Sequence, residues 1–171
     1  MRKEYINISV RQMYFTALMI AFVFLMTLIP RVPIPLGYAH LGDAAIFLVL
    51  TFVGKREGLL AGCLGSALAD FISGFAIWIL PTLVVKWAMA YVFWFLAIRN
   101  KKYNKFKLQT ILAIILASLV MVVGYTLFGA FLYNSIAVGM TSALPLITEG
   151  IVNIIAFFVL EKVFKRIISK R

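Results

Sequence analysis

Residues 108–148 read LQTILAIILASLVMVVGYTLFGAFLYNSIAVGMTSALPLIT, 41 successive positions without a charged side chain. About 20 residues of helix cross the hydrocarbon core of a bilayer, so this run holds more than one span. Tyr133-Asn134 and Gly139 favour turns over helix and split it into one full span and the start of another. The second of these ends near Val159, ahead of Glu161 and the bases Lys162, Lys165 and Arg166.

The same alternation runs upstream. A basic loop, 99–107, precedes the run, and before it lie four more apolar segments. The first, 12–30, stops at residues 31–38 (RVPIPLGY), where two prolines and a glycine cannot continue a helix. A short second segment ends at Gly54, Lys55, Arg56 and Glu57. The expected helices span about 10–29, 42–53, 58–75, 78–98, 108–132 and 141–162, forming one all-α transmembrane domain over 1–171. The first run is longer than a signal-peptide core and lacks a small-residue cleavage site, so it is expected to be a retained helix.

Composition agrees. The chain is 64% hydrophobic and 13% charged. A soluble domain carries about 25% charged residues, and half of that cannot clothe a soluble surface. The net charge of +11 would suit nucleic acid in a soluble protein. Here the bases sit in short clusters between apolar runs, as topology signals and phospholipid contacts, so nucleic acid is excluded as a partner. With six spans, fifteen bases fall on one side and only Arg31 on the other. The positive-inside rule then places both termini in the cytoplasm. Cys63 has no partner for a disulfide. No P-loop, metal-ligand cluster or nucleophile elbow occurs, so neither catalysis nor a cofactor is expected.

Charge inside a span costs roughly 2.5–3.5 kcal/mol per residue on insertion scales and demands a reason. Asp43, Asp70, Lys86 and Glu149 are the four cases, and the topology puts all of them in the outer half. Four helices bringing charge to one depth indicate a shared cavity open to the outside, with His40 and Arg31 just above it. An Asp70–Lys86 ion pair bracing the hairpin of the third and fourth spans is an equal reading for those two. Asp43 and Glu149 have no spare cation in obvious reach, so at least one is expected to face a ligand. His40 has no ligand companions and is not expected to bind metal. Asn153 follows Glu149 at i+4 and shares its helical stripe, a pairing suited either to a polar heterocycle or to helix–helix hydrogen bonding. Tyr38, Trp78, Tyr125 and Tyr133 lie at the same depth, as an interfacial belt or as a stacking surface. Gly58, Gly62, Gly65 and Ala69 form a close-packing stripe within the chain, and Ala17 and Ala21 a small-residue face open to another protein.

Taken together, His40-Leu-Gly-Asp43, Gly58, Gly62, Ala69-Asp70, Gly74 and Pro81-Thr82 through Lys86 follow an order that resembles the substrate-binding S components of energy-coupling factor (ECF) vitamin transporters. The branch it is most similar to is associated with hydroxymethylpyrimidine and vitamin B6 uptake. The resemblance implies a multi-pass protein of the bacterial plasma membrane. It also implies a vitamin site near the outer face, under the loop 31–41, involving His40, Asp43, Asp70, Thr82, Lys86, Tyr125, Glu149 and Asn153. It implies partners as well: a transmembrane T component, contacted through Ala17 and Ala21, and two ATPase subunits that supply the energy.

Among Arg31, Asp43, Asp70, Lys86 and Glu149 the formal charge is −1. A dry site for an anion such as pantothenate would want surplus positive charge, whereas a ring amine would suit a spare carboxylate. That favours a pyridine or pyrimidine vitamin precursor, with another vitamin as the alternative. A self-contained carrier or channel is the competing class, but a proton relay needs groups at more than one depth.

Overall fold

A computed structural model of the chain describes residues 10–99 and 107–168. The helices are α1 (Val10–Leu28), α2 (Gly42–Phe52), α3 (Lys55–Leu60), α4 (Ser66–Ile72), α5 (Ile79–Phe93), α6 (Lys107–Leu132), α7 (Ile136–Thr141) and α8 (Ala143–Ile168). A π-helical turn, Ala61–Gly65, joins α3 to α4, so 55–72 is one rod. A 3-10 turn, Ala76–Trp78, leads into α5, which ends in a second π turn, Trp94–Ile98. With α7 and α8 counted together, the described residues form six helical segments. Four of them are long and apolar enough to cross a membrane: Val10–Leu28, Ala76–Ile98, Leu108–Leu132 and Ile136–Ile167.

The short α2 lies at the centre. Residues 42–50 are all buried, and a helix that is apolar on every side belongs inside a bundle. Phe47 on α2 meets Phe93 and Phe157 at ring-centroid distances of 4.7 and 6.1 Å, tying α2 to α5 and α8. The glycine stripe lies against this core: Gly58 faces Leu50, Gly62 faces Ile46, and Gly65 faces the backbone of α1 at Ile20 and Phe24.

Four features differ from the sequence expectation. The third helix runs over 55–72 rather than 58–75, since Lys55, Arg56 and Glu57 are good helix formers. The chain is not wholly helical, because β1 (Val32–Ile34) and β2 (Gly37–Ala39) pair as an antiparallel hairpin, Val32 opposite Ala39 and Ile34 opposite Gly37. Pro33 and Pro35 exclude helix but not an edge strand or a turn. Leu36 takes the positive φ of 64° that closes the turn. The last segment starts at Ile136 rather than near 141, because Ser135 caps α7, its hydroxyl accepting the Val138 N–H at 3.3 Å. That segment runs on to Ile168, since Lys and Arg are good helix formers beyond the apolar stretch.

The hairpin, the start of α2 and the ends of α4 and α6 share one end of the bundle. Lys55, Arg56, Arg99 and the start of α6 share the other, the basic end. Arg2, Lys3, Lys101, Lys102, Lys105, Lys170 and Arg171, which the charge count used, lie outside the described residues.

Candidate ligand cavity

The hairpin roofs a cavity of about 490 Å³, its open mouth included. The polar walls come from Tyr38, His40, Asp70, Thr82, Lys86 and Glu149, and the aromatic walls from Phe75, Trp78 and Tyr125.

A relay of hydroxyls crosses one side. Tyr125 on α6 donates to Thr82 Oγ1 on α5 at 3.0 Å. Thr82 in turn donates to Asp70 Oδ2 on α4 at 2.5 Å, and Tyr38 on β2 donates to Asp70 Oδ1 at 2.9 Å. Burial and the neighbouring Asp70 both raise the Tyr38 phenol above its ordinary range, so it stays a donor. One carboxyl thus gathers groups from three other elements and fastens the hairpin to α4.

On the other side, Lys86 makes an ion pair with Asp43 on α2, both side chains being fully buried. Two expectations are corrected here. Lys86 does not pair with Asp70, which is occupied by hydroxyl donors, and Asp43 does have a cation in reach. Sequence spacing placed Asp70 and Lys86 on adjacent segments, but the central position of α2 brings Asp43 to the ammonium first.

Glu149 on α8 accepts the His40 backbone N–H at 3.3 Å, and its Oε1 lies 3.1 Å from His40 Nδ1. Nδ1 also accepts the Gly42 N–H at 3.2 Å. Burial and the Lys86 charge lower the imidazole to about 4, so His40 is neutral near pH 7. Below it, Asn153 is wholly buried: its Oδ1 accepts the Ala44 N–H at 2.8 Å, and its Nδ2 donates to the carbonyls of His40 at 2.7 Å and Glu149 at 3.0 Å. Asn153 therefore serves as the missing cap of α2, supplied by another helix.

Of the eight sequence-predicted site residues, the cavity wall includes His40, Asp70, Thr82, Lys86, Tyr125 and Glu149. Asp43 and Asn153 stand behind it, one pairing Lys86 and the other holding the backbone. Arg31 is not in the wall; it donates to the Ser73 hydroxyl at 2.7 Å and lies over the Tyr38 ring. Tyr38 and Trp78, noted only as aromatics of that depth, belong to the wall, while Tyr133 does not. Phe75 and the apolar hairpin tip at Leu36 were missed, since no charge marks them. Ala17 and Ala21 are exposed on α1.

A helical bundle with several membrane-crossing helices and a roofed cavity at one end defines a multi-pass membrane protein built to hold a small molecule. Residues 7–168 match the family of S components of ECF-type riboflavin transporters, and the chain belongs to that family. It is 26% identical over 167 residues to the thiamine precursor transporter HmpT of Lactococcus lactis subsp. cremoris (strain MG1363), covering 96% of this chain and 91% of that protein. It is 37% identical over 110 residues to an uncharacterized protein of Pyrococcus woesei, covering 63% of this chain and 71% of that one. The fold matches a solved S component of a bacterial ECF transporter with a TM-score of 0.73 at 18% identity, over 92% of this chain and 97% of that one. The chain is accordingly an ECF S component, a vitamin-type transporter subunit. None of these names carries vitamin B6.

Proposed function

We propose that this subunit captures a thiamine-precursor type of molecule, an amino- and hydroxymethyl-bearing pyrimidine, and passes it inward within an ECF importer. The observation that carries the reading is the lining charge. Asp43 neutralises Lys86, and Arg31 stands apart, so the carboxyl groups of Asp70 and Glu149 are the acidic surplus of the cavity. An exocyclic ring amine donates two N–H groups and suits such a wall, and the rings of Trp78, Tyr125 and Phe75 suit a flat heterocycle. The likeness to HmpT supports the same class. By the positive-inside rule the hairpin end faces outward and both termini face the cytoplasm.

ATP hydrolysis then belongs to partner subunits, with a T component seated on the α1 face of Ala17 and Ala21. Vitamin B6 and pantothenate are the less favoured ligands. Riboflavin is the second reading, favoured by the family match over 7–168.

The purified chain, denatured gently, releases its bound small molecule for mass spectrometry, followed by titration with hydroxymethylpyrimidine, pyridoxine, riboflavin and pantothenate. Recovery and tight binding of the pyrimidine is the expected result. Tight binding of riboflavin or pantothenate alone overturns the substrate. Transport in liposomes by the chain alone overturns the dependence on partners.

A further inference from the structure

At the basic end, opposite the cavity, four aromatic side chains form a ladder on α5 and its terminal π turn. Trp87 stacks on Tyr91 at 5.3 Å with 14° between the planes, and Tyr91 stacks on Phe95 at 6.2 Å with 20°. Trp94 leans on Tyr91 at 5.7 Å. Two cations sit on this ladder: Lys55 Nζ lies 3.9 Å from the Trp94 ring centroid and 5.0 Å from that of Tyr91, and the Arg99 guanidinium lies 5.0 Å from Phe95. Lys55, Arg56 and Arg99 are all exposed, and among the described residues none of them forms an ion pair with a carboxylate. Trp87 and Phe95 are 51% and 41% exposed, so the ladder faces outward from the bundle rather than into it.

We propose that this cluster is a binding site for an anionic phospholipid, its headgroup phosphate held by Lys55, Arg56 and Arg99 and its upper acyl chain lying along Trp87, Tyr91 and Phe95. Cation–π contact orients Lys55 but leaves its charge uncompensated, and each ring is already an electron-rich partner that cannot neutralise it. At the membrane–water boundary the abundant counter-charge is lipid phosphate, worth ~1 kcal/mol per base near the surface. Trp and Tyr prefer that same depth. A zwitterionic headgroup would set its own ammonium beside three cations, so charge complementarity selects an anionic lipid.

The test places the protein in nanodiscs that contain either brominated phosphatidylglycerol or brominated phosphatidylcholine at equal mole fraction, and follows tryptophan quenching. Phosphatidylglycerol is expected to quench with an apparent affinity roughly fivefold or more above phosphatidylcholine, the factor that one such base supplies. Trp87→Phe together with Trp94→Phe should remove most of the selective quenching, whereas Trp78→Phe, at the far end, should leave it intact. The triple variant Lys55→Gln, Arg56→Gln, Arg99→Gln should equalise the two lipids, with Lys55→Gln alone lowering the ratio if the triple variant is poorly expressed. Equal quenching of the unmodified protein by both lipids overturns the site, as does a preference undiminished by the loss of Lys55. Cavity ligand binding, measured on the unmodified protein and on the Lys55, Arg56 and Arg99 variants, is independent of either outcome.

Discussion

Glu149 on α8 reaches across to the segment that follows the hairpin, where its Oε1 meets both the backbone N–H and the ring Nδ1 of His40. The ring nitrogen already accepts the Gly42 N–H, and the imidazole is lowered to about 4, so the contact holds a neutral histidine rather than an ion pair. Below its ordinary value of 6.5 the unfolded chain therefore binds a proton that the folded chain refuses. The His40 contribution to stability rises with pH across the window from about 4 to 6.5 and is lost on acidification through it. His40→Asn keeps an acceptor for Gly42 but does not titrate, so the melting temperature of the native protein relative to this variant should fall by several degrees between about pH 7 and pH 5. Superimposable profiles for the two proteins would show that His40 carries none of the dependence.

The Asp43–Lys86 pair is buried on both sides, and removing one member strands the other in a dry core. Asp43→Asn or Lys86→Met alone should each cost about 3–5 kcal/mol, whereas Asp43→Leu with Lys86→Met should recover most of the loss. Denaturation midpoints of the four proteins test this. A double variant as unstable as either single one would mean that the pair sets geometry rather than merely cancelling charge.

How much of this was legible in the residues depends on range. Span boundaries rest on local charge and on breakers such as Gly54 and Asn134, and those were readable to within a few positions. That charged side chains of several helices gather at one end was readable too, and six of the eight expected residues line one cavity. Pairing was not. Lys86 chooses Asp43 over Asp70 because α2, brief and buried over 42–50, occupies the centre of the bundle, and no spacing in the chain encodes that. The hairpin escaped for a different reason: its two three-residue strands carry Pro33 and Pro35, which mark a loop as readily as an edge strand.

Gly65 tests the helix packing. A Cβ there would lie 2.8 Å from the Ile20 carbonyl oxygen and 3.0 Å from the Phe24 nitrogen, both backbone atoms of α1 that cannot rotate away. Gly65→Ala should destabilise by about 1–3 kcal/mol, despite the higher helix propensity of alanine. Gly150→Ala is the control, since its nearest neighbour is the Ser118 Cβ at 3.4 Å, an ordinary contact. That variant should be neutral or slightly more stable. Equal melting shifts for the two would remove close approach as the reason for glycine at 65.

Asn153→Leu keeps the branched outline of the side chain but leaves the Ala44 N–H and the His40 carbonyl without their partner, at about 1–3 kcal/mol for each buried group. Amide exchange at Ala44 should accelerate more than tenfold, while exchange in the middle of α6 follows only the global loss of stability. Asn153→Asp retains the acceptor for Ala44, so its exchange should lie between the two. Unchanged protection at Ala44 in the leucine variant would argue that the start of α2 is held by packing alone.

Tyr38 ties the hairpin roof to Asp70. Their 2.9 Å hydrogen bond joins β2 to α4 across the mouth of the cavity, and Asp70 is itself braced by Thr82. Tyr38→Phe removes that tie while keeping the ring that packs on Phe75 at 5.4 Å. A bond to a charged group is worth about 1.5–3 kcal/mol, so release of a small molecule held in the cavity should quicken by roughly tenfold or more. Association should change little, since the Tyr38 ring stays in the cavity wall. Thr82→Val should act in the same direction but also weaken equilibrium binding through the exposed Asp70 oxygen, with Thr82→Ser restoring both. Stopped-flow tryptophan fluorescence separates these rates. An off-rate unaffected by Tyr38→Phe would transfer control of the roof to the His40–Glu149 contact on the opposite wall.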